Sequence, residues 1–239
     1  MAMTEHHARS IVMVRHGQTA YNAAHRMQGQ TDIALNDVGR WQAARTAHAL
    51  RAEYVDPFPE RRQLVVASNL SRAFSTAQAF ASPLGLEVYP DERVRERNFG
   101  EWEGITPEQV QERWPEDYRL WMLSAGGELK HGAESKVAVG RRGLQALEDW
   151  IAKADEQTDL FIFSHGSWIA QTIQALMGLT QVHEENASLG SVRNAHWAHF
   201  VPRFVAEEGI RWALLDYNRG PVIARVVDWN NPGNEMLRQ

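Results

Sequence analysis

Short apolar runs that alternate with helical patterns constrain this 239-residue chain more than any other feature. Ile11–Val14, Leu64–Ala67 and Leu160–Phe163 are uninterrupted by polar residues and too short for helices. Such runs are the mark of strands buried on both faces. Asn36 precedes a helical stretch carrying Val38, Trp41, Ala44 and Ala49, and Ser71–Ala81 reads as a helix stopped by Pro83 and Gly85. Val137, Leu144, Leu147 and Ile151 recur at helical spacing, and a further helix runs from about Ser167 to Met177, closed by Gly178. Two later strand-like segments surround His196–Val201 and Ile210–Tyr217. This alternation predicts an α/β fold of three layers, with helices on both faces of a mostly parallel central sheet. No repeat, low-complexity tract or linker divides the chain, so residues 1–239 are expected to form a single domain. The stretch from Gly100 to Gly132 is irregular and rich in Trp, Pro and Gly. It is expected to be a mainly helical flap inserted over the ligand edge of the sheet.

In such sheets ligands sit beyond the carboxyl ends of the strands. The first run leads into Arg15-His16-Gly17, the second into Ser68-Asn69-Leu70-Ser71-Arg72 and the third into Ser164-His165-Gly166. Two arginines and two histidines are thereby expected on one edge. Arg15 and Arg72 suit a phosphate ester, because a planar guanidinium bonds two oxygens at once. Helix starts after His16 or after Ser71 are candidate sources of backbone N–H donors. A neutral His16 is a nucleophile for phosphorus, giving a phosphohistidine. Gly17 is expected to let the backbone approach the phosphate closely. His165 is expected to donate to the transferring group. Glu96, within Val94–Gly100, is the carboxylate expected to protonate the leaving alkoxide and then to activate water. A nearby phosphate favours its protonated form by like-charge repulsion. Taken singly, each segment reads as a turn, a solvated helix residue or a charged loop; their joint occurrence at three strand ends does not.

Composition narrows the remaining classes. The chain has no cysteine, which removes disulfides, a thiol nucleophile and thiolate metal sites, and fits a cytoplasmic enzyme. The net charge of −5 argues against a nucleic-acid partner. No apolar stretch suits a signal peptide or a membrane span, so no membrane association is expected. No Asp-x-Asp pair for an aspartyl-phosphate enzyme and no Gly-x-x-x-x-Gly-Lys nucleotide loop is present. His6 and His7 read as a terminal tail; His25, His48, His131, His183, His196 and His199 show no spacing that compels a metal. The expected metal set is therefore empty.

In order along the chain, these motifs resemble the histidine phosphatase superfamily, the phosphoglycerate mutase-like family. Arg15-His16-Gly17-Gln18-Thr19-Ala20-Tyr21-Asn22 is similar to its signature, and Ser68–Arg72 to its second motif. Glu96 with Phe99-Gly100-Glu101-Trp102-Glu103-Gly104 resembles its acid motif. Gly132-Ala133-Glu134-Ser135 resembles its Gly-Gly-Glu-Ser element, with Ala133 in place of the second Gly, and Ser164–Gly166 resembles its last motif. The resemblance runs from Ile11 to about Gly178. It implies catalytic roles for Arg15, His16, Arg72, Glu96 and His165, and substrate contacts from Asn22, Gln28 and Gly29; Gly17, Gly166 and, beyond that span, Leu214 complete the expected substrate contacts. It implies a small phosphorylated metabolite as partner, leaves a homodimer open, and implies no metal and no nucleotide cofactor. The short interval between Glu96 and His165, and Ser167 where mutases usually carry Asn, resemble the phosphatase branch. Arg26–Gln30, Asn194–Trp197 and Ile210–Leu214 resemble a narrower group, the glucosyl-3-phosphoglycerate phosphatases of actinobacteria. A phosphoglycerate mutase and a non-catalytic phosphate-binding module are the alternatives.

Overall fold

The computed structural model describes residues 7–179, 189–205 and 209–238. The three apolar runs become β1 (Ser10–Arg15), β2 (Arg62–Ala67) and β4 (Thr158–Ser164). A strand that the apolar pattern does not show, β3 (Val88–Pro90), is only three residues long and lies at the sheet edge. The late pair forms a long hairpin, β5 (Trp197–Val205) and β6 (Gly209–Arg219). The six strands lie in the order β3-β2-β4-β1-β5-β6. Pairing is parallel from β3 to β1 and antiparallel through β5 and β6, as expected for a mostly parallel sheet.

Both faces of the strands are apolar, and alternation sorts the side chains between them. Ile11, Met13, Val66, Leu160 and Ile162 join one buried cluster. Helices α6 (Lys136–Ile151) and α7 (Gly166–Leu176) cover it through Val139, Leu147, Trp150, Trp168, Ile169 and Ile173. Val12, Val14, Val65, Ala67, Phe161 and Phe163 join the opposite cluster. There, α2 (Asp37–Leu50) contributes Leu50, and α3 (Ser71–Ala81) contributes Ala77 and Phe80. Every residue of β4 is buried, as befits a strand between two neighbours and two helical layers. Asn36 caps α2 by accepting from the Gly39 amide at 2.8 Å.

The four-residue helix α1 (Ala20–Ala23) follows β1, and the stretch after Gly100 is helical, with α4 (Pro107–Arg113) and α5 (Pro115–Met122). Trp102 is fully buried at its base, 5.7 Å from the Trp121 ring and 5.3 Å from the His131 ring. His131 bridges the Glu101 and Asp117 carboxylates at 3.1 and 3.0 Å. Below it, Arg97 and Glu128 form an ion pair at 2.7 Å, with both side chains almost fully buried. The chain ends in a segment that returns to α2, where Trp229 packs against Trp41, Ala195 and Ala224, followed by the short helix α8 (Asn234–Leu237).

Two expectations about histidines need correction or limits. His7 is no tail residue: it is buried, with its ring 5.4 Å from that of Phe204. His6 and His183 lie outside the described residues. Among the described residues, no helix is long and apolar enough to cross a membrane.

Candidate active site

The sheet register brings the expected residues together. Arg15 pairs with Ser164 across β1 and β4, and Ala67 pairs with Phe163 across β2 and β4, so three strand ends stop at one level. The His16 amide donates to Ser164 O at 3.0 Å and the Ser68 amide to Phe163 O at 2.9 Å, continuing the ladder past the strand ends. A cavity of about 960 Å³ opens over this edge and is lined by Arg15, His16, Arg72 and Glu96 among others.

The two histidines meet edge to face, with ring centroids 5.1 Å apart. Their hydrogen-bond partners assign the tautomers. His16 Nδ1 lies 2.6 Å from Gly17 O, which only accepts, so Nδ1 carries the hydrogen and Nε2 keeps its lone pair. Arg72 Nε donates to His165 Nδ1 at 3.2 Å, so the His165 hydrogen sits on Nε2. That Nε2 is buried without a partner among the described residues, as is Arg15 Nε. A buried polar group left unpaired is costly unless a ligand satisfies it. Burial holds the His16 imidazole well below its ordinary range, and the Arg72 and Arg15 guanidiniums push it further. Burial does the same for His165, aided by Arg72, His16 and Arg15. Both rings are neutral at neutral pH, the state a nitrogen nucleophile and a neutral donor require.

The arginines are fixed through main-chain carbonyls. Arg72 is fully buried, donates to Thr31 O at 2.8 Å and Gly29 O at 2.7 Å, and is lowered by burial to about 10. Arg15 donates to Val192 O at 2.6 Å, and burial lowers it against the raising influence of Glu96. The loop that holds Arg72 is itself clamped by Glu103, whose carboxylate accepts from the Gln30 and Thr31 amides, both at 2.9 Å. Gly29 has φ +53°, and a Cβ there would fall 1.9 Å from Glu103 Oε1, so a side chain at this position is strained and displaces the clamp.

Glu96 takes a position that sequence reading did not foresee. Its Oε2 accepts from the Ser167 amide at 3.1 Å, and its Oε1 from the Trp168 and Arg97 amides at 2.9 and 2.8 Å. The carboxylate therefore sits on the positive N-terminus of α7. Neither helix start named from the sequence serves this way: α1 is capped by Thr19 Oγ1, and the Ser71 amide at α3 donates to Asp32 at 2.8 Å. Among the described residues Glu96 forms no ion pair with the neighbouring guanidiniums: Arg95 pairs with Glu92 and Arg97 with Glu128. Its backbone is held by Arg142 of α6, which donates to Arg93 O, Arg95 O and Glu96 O at 2.7, 2.7 and 2.9 Å.

The expected substrate contacts divide. Asn22, Gln28 and Gly29 line the cavity. Asn22 Oδ1 accepts from Asn194 Nδ2 at 3.1 Å and Gln28 Oε1 from Thr19 Oγ1 at 2.8 Å, which aims their amide nitrogens elsewhere. Gly166 lies beside Arg15, where a Cβ would come within 3.4 Å of the guanidinium carbon. Gly17 also meets a packing constraint: a Cβ would meet Gly39 O at 2.3 Å, where α2 packs against the loop. Leu214 is a correction, because it pairs with Phe200 on the edge strand β6, packs on the α6/α7 side and does not line the cavity. Missed altogether were Val192 and Asn194, whose loop holds Arg15 and, through Asn194 Nδ2, the His16 carbonyl at 3.1 Å. Asn194 belongs to a recognised segment, which was the available signal.

Comparison with known proteins gives the family. A family model described as "Histidine phosphatase superfamily (branch 1)" matches residues 11–206. A glucosyl-3-phosphoglycerate phosphatase of Mycolicibacterium vanbaalenii is 35% identical over 92% of this chain and 98% of its own. Phosphoserine phosphatase 1 of Hydrogenobacter thermophilus is 30% identical over 71% of this chain and 76% of its own. A solved mycobacterial glucosyl-3-phosphoglycerate phosphatase in complex with VO3 superposes with a TM-score of 0.75 at 32% identity, covering 89% of this chain and 100% of that one. A match running from the first strand to the end of β5, together with relatives that share most of the chain, shows that this protein belongs to the histidine phosphatase superfamily.

Proposed function

We propose that this phosphatase hydrolyses glucosyl-3-phosphoglycerate through a phosphohistidine on His16, without a metal ion. The observation that carries the chemistry is the pair of neutral imidazoles in opposite tautomers. His16 offers a bare Nε2 lone pair to the cavity, and the neighbouring His165 offers an Nε2–H that has no protein acceptor among the described residues. Nε2 of His16 attacks phosphorus as the bond to the leaving alkoxide breaks, and Glu96 supplies the proton that alkoxide needs. Arg15, Arg72 and the His165 N–H hold the charge that gathers on the phosphoryl oxygens. In the second half Glu96 takes a proton from water, the hydroxide oxygen attacks phosphorus, and the P–N bond breaks to return neutral His16 with inorganic phosphate. For this Glu96 exchanges its amide contacts on α7 for contacts with the reacting oxygens, a side-chain rotation within the same cavity.

The substrate reading rests on the relatives and on the cavity, which is far larger than a phosphate group and is lined by Asn22, Asn230 and Asn231, besides Gln18 and Asn36, whose amides bond each other. Amide side chains both donate and accept, as sugar hydroxyls do. Trp121 also lines the cavity and offers an aromatic face to a sugar ring, whereas Trp102 and Trp114 stack within the flap. The test is a panel of esters assayed for free phosphate in the presence of EDTA. Glucosyl-3-phosphoglycerate is expected to give the highest kcat/KM, undiminished by the chelator. Loss of turnover in EDTA, restored by a divalent ion, would sink the metal-free mechanism. Conversion of 3-phosphoglycerate to 2-phosphoglycerate without phosphate release would assign the chain to the mutases.

A further inference from the structure

We propose that the C-terminal segment around Trp229 is a wall of the active site, and that Asn230 and Asn231 read hydroxyl groups of the leaving group. This rests on the phosphatase and sugar-substrate reading above. The segment lies beyond residue 206, where the family match ends. It is nevertheless tied to the innermost part of the site. Trp229 is 1% exposed, with its ring 4.9 Å from that of Trp41. Its Nε1 donates to Asn194 O at 2.8 Å, and its carbonyl accepts from Gln42 Nε2 at 2.7 Å. Gln18 Nε2 donates to Asn230 O at 3.1 Å. Asn194 in turn donates to the His16 carbonyl, and Gln18 lies two residues from His16. The wall is thus placed relative to the nucleophile by two residues beside it.

The turn is closed from within: Asp228 Oδ1 accepts from the Asn230 amide at 3.1 Å and from the Asn231 amide at 3.2 Å. With the backbone so occupied, only the two side-chain amides remain to face outward. Both residues are exposed, both line the cavity that holds Arg15 and His16, and neither side chain has a protein partner among the described residues. A primary amide presents a donor and an acceptor side by side, the complement of a vicinal diol. A carboxylate on the same substrate is better served by Arg193 or Arg26, which line the cavity too. A segment that served only to cover Trp41 and Ala195 would need Trp229 and its bonds, but not two adjacent amides facing the ligand.

The experiment is the double substitution Asn230→Ala/Asn231→Ala, assayed with glucosyl-3-phosphoglycerate, 3-phosphoglycerate and p-nitrophenyl phosphate alongside the unaltered enzyme. Both positions are exposed, so the melting temperature is expected to hold. Losing two ordinary hydrogen bonds predicts a fall of about 5- to 100-fold in kcat/KM for the glucosylated ester, mostly in KM. The aryl ester is expected to change less than about two-fold, since it has no hydroxyl to lose. An unaltered enzyme that does not prefer the glucosylated ester takes down the substrate reading and this wall with it. If the enzyme prefers that ester and the variant keeps the preference, the wall alone is overturned. An equal fall on all three esters also overturns it, because the segment then acts on the chemistry and not on the leaving group.

Discussion

The floor of the cavity and its rim are built on opposite plans. On the floor, Arg72, His165 and His16 are buried, and His165 Nε2 and Arg15 Nε have no protein partner among the described residues, which leaves them for the phosphoryl group of the proposed reaction. Arg72 Nε is held by His165 Nδ1, and the Arg72 terminal nitrogens and His16 Nδ1 by main-chain carbonyls, so little reorganisation remains for the moment of reaction. On the rim, Asn230, Asn231 and Arg193 are exposed, and their side chains have no protein partner among the described residues. The difference separates two tasks. Charge stabilisation profits from burial, where each donor acts in a low dielectric. Selection among leaving groups needs side chains that exchange water for ligand at little cost.

The comparison is easiest to break at the nucleophile. His16→Ala is expected to lower kcat on the order of 10⁴-fold or more for every ester, the scale seen when a nucleophile is removed. Acid-labile radiolabel trapped on the enzyme should vanish with it. Label that persists in the variant would move the nucleophile elsewhere. Glu96→Gln should act more selectively. Phosphoenzyme formation from an alkyl ester should slow by about 10²–10⁴-fold, the usual range for general acid catalysis. With p-nitrophenyl phosphate that step should slow far less, while labelled intermediate accumulates because its hydrolysis has lost the base. Equal slowing with both esters and no accumulation would leave Glu96 as a cap on α7 and nothing more.

Arg142 stands between floor and rim, because it touches the acid only through the backbone of Arg93, Arg95 and Glu96. Arg142→Ala is expected to cost up to about 10²-fold with alkyl esters, the scale of a misplaced catalytic group, and little with aryl esters. A loss that ignores the leaving group would mark Arg142 as merely structural.

The smallest effect is on stability against pH. The buried His16 and His165 are depressed, and His196 is lowered by burial to about 4. An unfolded chain takes up protons on these imidazoles near their ordinary range, while the folded chain does not. Stability is therefore full above that range and is lost as pH falls through it toward the folded values. The melting temperature should drop between pH 7 and pH 5, with a shallower slope in His165→Gln. A flat profile would mean that the imidazoles titrate normally, and the neutral-nucleophile account would fail.

Much of the frame was legible because it depends on local pattern. The apolar runs marked β1, β2 and β4, and the helix over Ser71–Ala81 has the expected ends. The strand-end motifs then located Arg15, His16, Arg72 and His165 on one edge, since the carboxyl end of a parallel strand is a position that sequence alone defines. β3 was invisible because three residues carry no period. Leu214 was misplaced because a residue's strand is local knowledge, whereas β6 lying at the far edge of the sheet is not. The same holds for Gly17, which is required by Gly39, and for Glu96, which rests on a helix that begins seventy residues further along. The wall built by Trp229, Asn230 and Asn231 had no sequence signal. Side-chain chemistry and secondary-structure period are written in neighbouring residues, so the sequence by itself determined the elements and the reacting groups. Which loop clamps which arginine, and which terminus closes the cavity, follow from contacts between distant positions that only packing brings together, and these the tertiary structure decided.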